Sequence, residues 1–143
     1  MLELTVAGAL LLGVLGAVFQ FGYTFYVYNR LVTAMGNGGR YAAQRTYRGS
    51  MTENEKAAER AIRNMVVYGA PRPGPESEPL VPNLKPEQIE VQWDGPQGEA
   101  PNMVSLAVRN YTVDAVFRSY TFDRRPAISF PFVGRYAPEE KEP

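Results

Sequence analysis

The residues able to do chemistry in this chain are few, and their types exclude most enzyme mechanisms. The sequence contains neither His nor Cys, so it has no imidazole base, no thiol nucleophile and few of the usual zinc ligands. Three carboxylates, Glu139, Glu140 and Glu142, cluster near the C-terminus, but a terminal run of like charges is usually solvated. We therefore expect no catalytic residue, no cofactor site and no metal site, and a membrane-anchored enzyme is the least favoured class.

Two short motifs and the charge balance exclude further classes. Residues 36–40 read Gly-Asn-Gly-Gly-Arg, which lacks the Lys and Ser/Thr of a phosphate-binding loop. Asn110, Tyr111 and Thr112 match the N-glycosylation pattern, although such triplets also arise by chance. Lys plus Arg number 15 and Asp plus Glu number 15, so no net positive charge attracts nucleic acid.

The N-terminal segment has the length of a membrane-spanning helix. Residues 4–28 carry no charge, and a helix of that length extends about 37 Å, enough to cross a hydrocarbon layer of about 30 Å. Its orientation is in conflict with the positive-inside rule, because basic residues follow the apolar run and none precedes it. A removed basic leader would resolve this conflict, and we expect that the chain had one.

The composition of this segment favours packing between helices. Gly13 and Ala17 have the small-xxx-small spacing that lets helix backbones approach closely, and six aromatic residues follow within positions 19–28. The alternatives are a monomeric anchor rich in glycine and an interfacial aromatic belt. We assign helix packing in an assembly to ten residues: Glu3, Gly8, Gly13, Gly16, Ala17, Phe19, Phe21, Gly22, Phe25 and Tyr26.

Glu3 is the only charge at the start of the apolar segment. A carboxylate there favours the positive end of a helix dipole. The alternative is that Glu3 pairs with the α-amino group of its own or a neighbouring chain and sets the register of an assembly. Both interpretations remain open from the sequence.

The rest of the chain predicts an α+β fold. We expect the long helix to continue to residue 48, with a bend or a melted stretch at residues 36–39 as an open alternative, and a second helix to begin at the Thr52/Glu55 capping box and end at Gly69. A proline-rich connector covers residues 70–87. The predicted units are the helix, residues 1–48, and a globular head, residues 49–143.

Alternating apolar residues predict a small antiparallel sheet of about three strands in this head. The first two strands centre on Val91 and Leu106 and are expected to pair as a hairpin. A third covers residues 127–136, at a sheet edge because of Pro131, and residues 111–123 fit either a strand or a short helix. This core is modest, so we expect the lower part of the long helix, around Tyr41 and Tyr47, to complete it.

The N-terminal half resembles TadE-like proteins, which are pilin-related components of bacterial tight-adherence systems. The similarity lies in residues 2–6, in Phe19-Gln20-Phe21-Gly22, in residues 26–29 and 39–43, and in residues 64–69; it is looser up to residue 138. The acid of the family commonly lies near the fifth mature position, whereas Glu3 is third here.

The resemblance implies a precursor whose basic leader is cut by a dedicated peptidase. The helix is then held in the inner membrane before it is built into a filament at the cell surface. The implied partners are further copies of the chain or related pilins, the assembly machinery and the leader peptidase. A membrane-anchored minor pilin or accessory protein of the secretion system is the alternative.

Overall fold

The computed structural model describes residues 2–44, 47–48, 51–95, 101–115, 117–134 and 136–137, and it has an α+β fold. Side chains are described for most of them, but not for residues 2, 47–48, 51–55 and 136–137. The loop at residues 96–100 and the charged tail predicted at residues 138–143 lie outside the described residues. The long apolar N-terminal helix, the second helix and the three-stranded antiparallel sheet are confirmed.

Helix α1 covers Leu2–Ala43 without a break. The alternative of a melted stretch at residues 36–39 is therefore wrong, and tertiary packing explains why. Gly38 lies directly against Val66, and a Cβ atom at Gly39 would come within 2.5 Å of the Phe130 ring. Close approach of these neighbours offsets the intrinsic cost of glycine in a helix, about 1 kcal/mol each.

The end of α1 also differs from the prediction, because the helix stops at Ala43 and not at residue 48. Residues Tyr47–Arg48 form a short strand, β1, and pair in parallel with Tyr136–Ala137, the last strand of the chain. The Ala43 carbonyl accepts a hydrogen bond of 3.0 Å from the backbone of Val133. Backbone groups that a longer helix would pair internally are thus hydrogen-bonded to residues distant in the sequence.

The second helix, α2, covers Met51–Tyr68. Its end is confirmed: Gly69 has φ of +73°, a conformation that glycine adopts at little cost, and its N–H donates to the Met65 carbonyl at 3.0 Å. The capping side chains proposed at Thr52 and Glu55 lie outside the described residues.

The proline-rich connector is confirmed as a segment without strands, with one turn of 3₁₀ helix at Pro86–Gln88. It is not only a surface crossing. The Leu80 N–H donates to the Val67 carbonyl at 2.7 Å, and the side chains of Val81 and Leu84 are buried in the core. Two apolar residues among the prolines therefore fasten the connector to α2.

The main sheet has the strand order β2-β3-β6 and is antiparallel throughout. Its strands are β2, Ile89–Asp94, β3, Met103–Val108, and β6, Ala127–Pro131. The predicted hairpin pairing of the first two strands is confirmed by the register Val91 to Leu106. Pro131 lies on the outer strand, where its missing N–H costs no hydrogen bond of the ladder.

Two strands from residues 111–123 form a second hairpin, so the helical alternative is wrong. Strand β4, Tyr111–Asp114, pairs with β5, Ser119–Phe122. Tyr111 and Val113 point into the core while Thr112 and Asp114 are exposed, which is the period-two pattern of a half-buried strand.

One hydrophobic core joins α1, α2, the connector and the sheet. Leu31 and Met35 of α1 are 0% exposed, as are Ile62 and Val66 of α2. Val104, Leu106 and Val108 of β3 face them. Tyr41 packs against this core, while the side chain of Tyr47 lies outside the described residues. The second half of α1 is therefore a wall of the head.

Burial of the Tyr111 side chain makes the stability of the head fall at alkaline pH. It is 2% exposed, its hydroxyl donates to the Pro82 carbonyl at 2.8 Å, and burial raises its pKa to about 12. A raised pKa favours the neutral phenol in the folded state, so this contribution is complete below pH 10 and is lost as the pH rises towards 12. A shift of this size corresponds to roughly 3 kcal/mol.

We expect Tyr111→Phe to be less stable at neutral pH by about 1 kcal/mol and to lose stability less steeply above pH 10. Urea unfolding followed by Trp93 fluorescence between pH 8 and pH 12 measures both. Parallel stability curves for the wild type and the variant would contradict the assignment.

Candidate functional site: the exposed half of helix α1

The first half of α1 projects from the head as an apolar rod. Leu4, Leu10, Leu12 and Val18 are each more than half exposed, and the only fully buried side chain before Val27 is that of Gln20 among the described residues. The segment Glu3–Ala43 is long and apolar enough to cross a membrane. An apolar surface of this extent in water indicates a partner, either lipid or protein.

Nine of the ten residues assigned to packing are open towards solvent on this rod, and Gly16 is the exception. A Cβ atom at Gly8, Gly13 or Gly22 would have no neighbour within 4 Å, so these positions offer shallow notches to a second helix. The remaining six are exposed to solvent: Glu3, Ala17, Phe19, Phe21, Phe25 and Tyr26.

Gly16 contacts the same chain. The ring of Phe117, in the loop between β4 and β5, covers it, and a Cβ atom there would come within 2.5 Å of Phe117 Cζ. The small size of Gly16 thus has a role inside the monomer. Phe117 itself is 70% exposed, because only one side of its ring meets the helix.

Gln20 is the functional residue that residue-by-residue analysis of the sequence missed. It is 5% exposed, its Nε2 donates to the Arg118 carbonyl at 2.8 Å, and its Oε1 accepts from the Phe117 N–H at 2.7 Å. Both halves of the amide are used to hold the loop against α1. The available signal was a lone amide in an apolar run, a costly choice unless it has partners.

The β4–β5 hairpin contacts α1 at both of its ends. At its base the rings of Phe122 and Tyr28 are 5.7 Å apart between centroids, and at its tip Phe117 meets Gly16. The two contacts are separated along the helix by about 18 Å, at 1.5 Å per residue. The hairpin therefore extends beside the apolar rod as far as Gly16.

Arg30, the first charged side chain after the rod, contacts an aromatic residue near the end of the rod. Arg30 Nη1 donates to the Tyr26 hydroxyl at 3.1 Å, and the guanidinium carbon lies 5.7 Å from the centroid of the same ring. An aromatic side chain followed by a cation with an apolar stem is typical of residues at a membrane surface.

The polar groups elsewhere form local pairs. Arg109 Nε donates to Glu90 Oε2 at 2.5 Å across the sheet, and this contact lowers the pKa of Glu90. Among the described residues no three Asp or Glu side chains gather as a metal site would need. Asn110 is exposed in a turn with φ of 48°, and its glycosylation stays a prediction.

Comparisons of this chain with family models, curated proteins and solved structures find no match. Its function is therefore inferred from the sequence and from the geometry of α1.

Proposed function

We propose that this protein is a structural, pilin-like subunit that polymerises through α1 into an extracellular pilus used for surface attachment. The observation that supports this most is the division of one continuous helix into two environments. Leu31 and Met35 are 0% exposed in the head, whereas the side chains of Leu4, Leu12 and Phe19 are more than 60% exposed. A helix built in this way presents an apolar half for burial elsewhere.

Two environments would cover this half in turn. Before assembly the inner membrane surrounds it, since residues 4–28 are long enough to span the hydrocarbon layer. In the filament the same surface would pack on the helices of neighbouring copies or related pilins, with Gly8, Gly13 and Gly22 allowing close approach. Burial there offsets the loss of lipid contacts through van der Waals packing and shape complementarity.

The assembly machinery and a leader peptidase enter this proposal through the resemblance to TadE-like proteins. They account for the transfer of the helix from membrane to filament, which an exposed apolar rod cannot make through water unaided. The proposed role needs no catalytic group, no cofactor and no nucleic acid.

A membrane-anchored minor pilin or accessory protein is the second candidate. The contact between Arg30 and Tyr26 favours it, because this pair suits a helix that stays at a membrane surface. The two candidates differ in what covers residues 4–26 in the final state: protein in the first case and lipid in the second.

Electron microscopy of the purified full chain tests the proposal. After removal of detergent we expect filaments with the heads on the outside and the helices in the core. Discrete particles at every protein concentration, together with retention of the chain in membranes of the producing cells, would favour the accessory protein.

Glu3 gives a further prediction about assembly. If Glu3 pairs with an amino terminus, Glu3→Gln removes the charge and should reduce the number of filaments per cell several-fold, while Glu3→Asp should reduce it less. If Glu3 only favours the helix dipole, a contribution of about 0.3–1 kcal/mol, both variants should assemble nearly as the wild type does. Filament counts by electron microscopy at matched expression distinguish the two roles.

A further inference from the structure

We infer that the tip of the β4–β5 hairpin, with Phe117 at its end, enters the lipid of the outer half of the bilayer when α1 is held in the membrane. This inference rests on the proposed membrane-held state. It assigns a lipid-contacting role to a loop of the head that lies about 100 residues after Gln20 in the sequence.

The position of the hairpin along α1 carries the first step. With the charged Glu3 at one surface of the bilayer, a hydrocarbon layer of about 30 Å needs about 20 helical residues, which extends to the region of Tyr23. Phe117 packs on Gly16, about 10 Å short of that boundary at 1.5 Å per residue. The head cannot stay docked on α1 in this state and also remain wholly in water.

The surface of the tip suits that depth. Phe117 is 70% exposed, and Phe19 and Phe21 are exposed on α1 within five residues of Gly16. Arg118 is exposed as well, and its long side chain can reach from the tip to the phosphate groups. At this depth the protein therefore presents exposed aromatic side chains and a nearby cation, as interfacial anchors do.

Gln20 provides hydrogen-bond partners for backbone groups of the loop that would have none in lipid. Backbone N–H and C=O groups have no water to bind there, and irregular backbone is tolerated only where protein satisfies it. The Gln20 amide accepts from the Phe117 N–H and donates to the Arg118 carbonyl, at 2.7 Å and 2.8 Å. Two backbone groups at the leading end of the loop are therefore satisfied by a side chain of the spanning helix.

Single spin labels test this depth directly, because the chain has no cysteine of its own. The full chain is reconstituted at low density in vesicles of phosphatidylcholine and phosphatidylglycerol, with a nitroxide on Phe117→Cys, on Asp123→Cys as the control at the base of the hairpin, or on Leu11→Cys in the rod. Power saturation compares collisions with oxygen, which concentrates in lipid, and with a water-soluble nickel chelate.

We expect the ratio of oxygen to nickel accessibility to be several-fold higher at residue 117 than at residue 123, and highest at residue 11. Nickel access at residue 117 with lipid exposure at residue 11 would overturn the inference while leaving the membrane-held state intact. Low access to both reagents at residue 117 would also overturn it, since the tip would then be buried against a second copy. Nickel access at residue 11 would refute the membrane-held state itself, and the inference with it.

Gln20→Leu, combined with the label at residue 117, tests the role of the amide. Without it the two backbone groups lose their partners, so we expect residue 117 to become accessible to nickel while residue 11 keeps its depth. An unchanged depth at residue 117 would show that the loop enters lipid without help from Gln20, contrary to the inference.

Discussion

Leucine at Gly13 is expected to abolish filament assembly and to leave the head as stable as that of the wild type. A Cβ atom at Gly13 has open space around it within 4 Å, so the monomer has room for a larger side chain there. A neighbouring helix at close approach would meet the added side chain, and its backbone would be held away. We expect filament counts to fall at least about tenfold, with a melting temperature unchanged within about 1 °C.

Gly38→Leu is the matched control on the same helix. Gly38 lies directly against Val66 of α2, so leucine there forces α1 and α2 apart within the core. Overpacking of this kind costs about 1–3 kcal/mol or more, and the head should melt at a lower temperature. Normal filaments from Gly13→Leu would contradict helix packing as the basis of assembly, and equal melting temperatures for the two variants would contradict the division of α1 into two environments.

A head fragment beginning at Thr52 is expected to lose cooperative folding, whereas one beginning at Tyr23 should fold. The shorter fragment lacks Leu31 and Met35, which are 0% exposed, and removal of one such side chain costs about 2–5 kcal/mol. The total stability of a domain is only about 5–15 kcal/mol. The longer fragment also keeps Val27, which is 1% exposed in the core.

Thermal melts followed by Trp93 fluorescence measure this difference. The fragment from Tyr23 should give one sigmoidal transition, and the fragment from Thr52 a gradual change without a transition. Equal midpoints would show that the buried half of α1 adds nothing to the head and serves assembly alone.

Local sequence patterns predicted the elements whose buried and exposed sides, or whose ends, depend on neighbouring residues in the sequence. The alternation around Val91 and Leu106 predicted β2 and β3, because one face of each strand is buried and the other is not. Gly69 predicted the end of α2, since the chain needs a positive φ there. The uncharged run of residues 4–28 predicted a helix long enough to cross a membrane, because length and lack of charge are also local properties.

Local patterns were wrong where contacts with residues distant in the sequence determine the backbone conformation. The glycines at residues 36–39 indicated a melted stretch as an alternative, but the helix is continuous there, and Val66 and Phe130 lie so close to Gly38 and Gly39 that an added Cβ atom would clash. Residues 47–48 were predicted as helix, yet their pairing with residues 136–137 uses the backbone groups that a helix would need. Residues 111–123 fitted two periods equally, and pairing between β4 and β5 decided for the strand.

The sequence by itself determined that α1 has an apolar half with small residues and aromatics, because composition and spacing are local properties. Only the tertiary structure decided how far the head reaches along that half. Gly16 and Gln20 look like ordinary members of the apolar run until Phe117 and Arg118, about 100 residues later, are placed on them. A hydrogen bond or a close contact depends on two positions in space, and one-dimensional periodicity holds no information about the second.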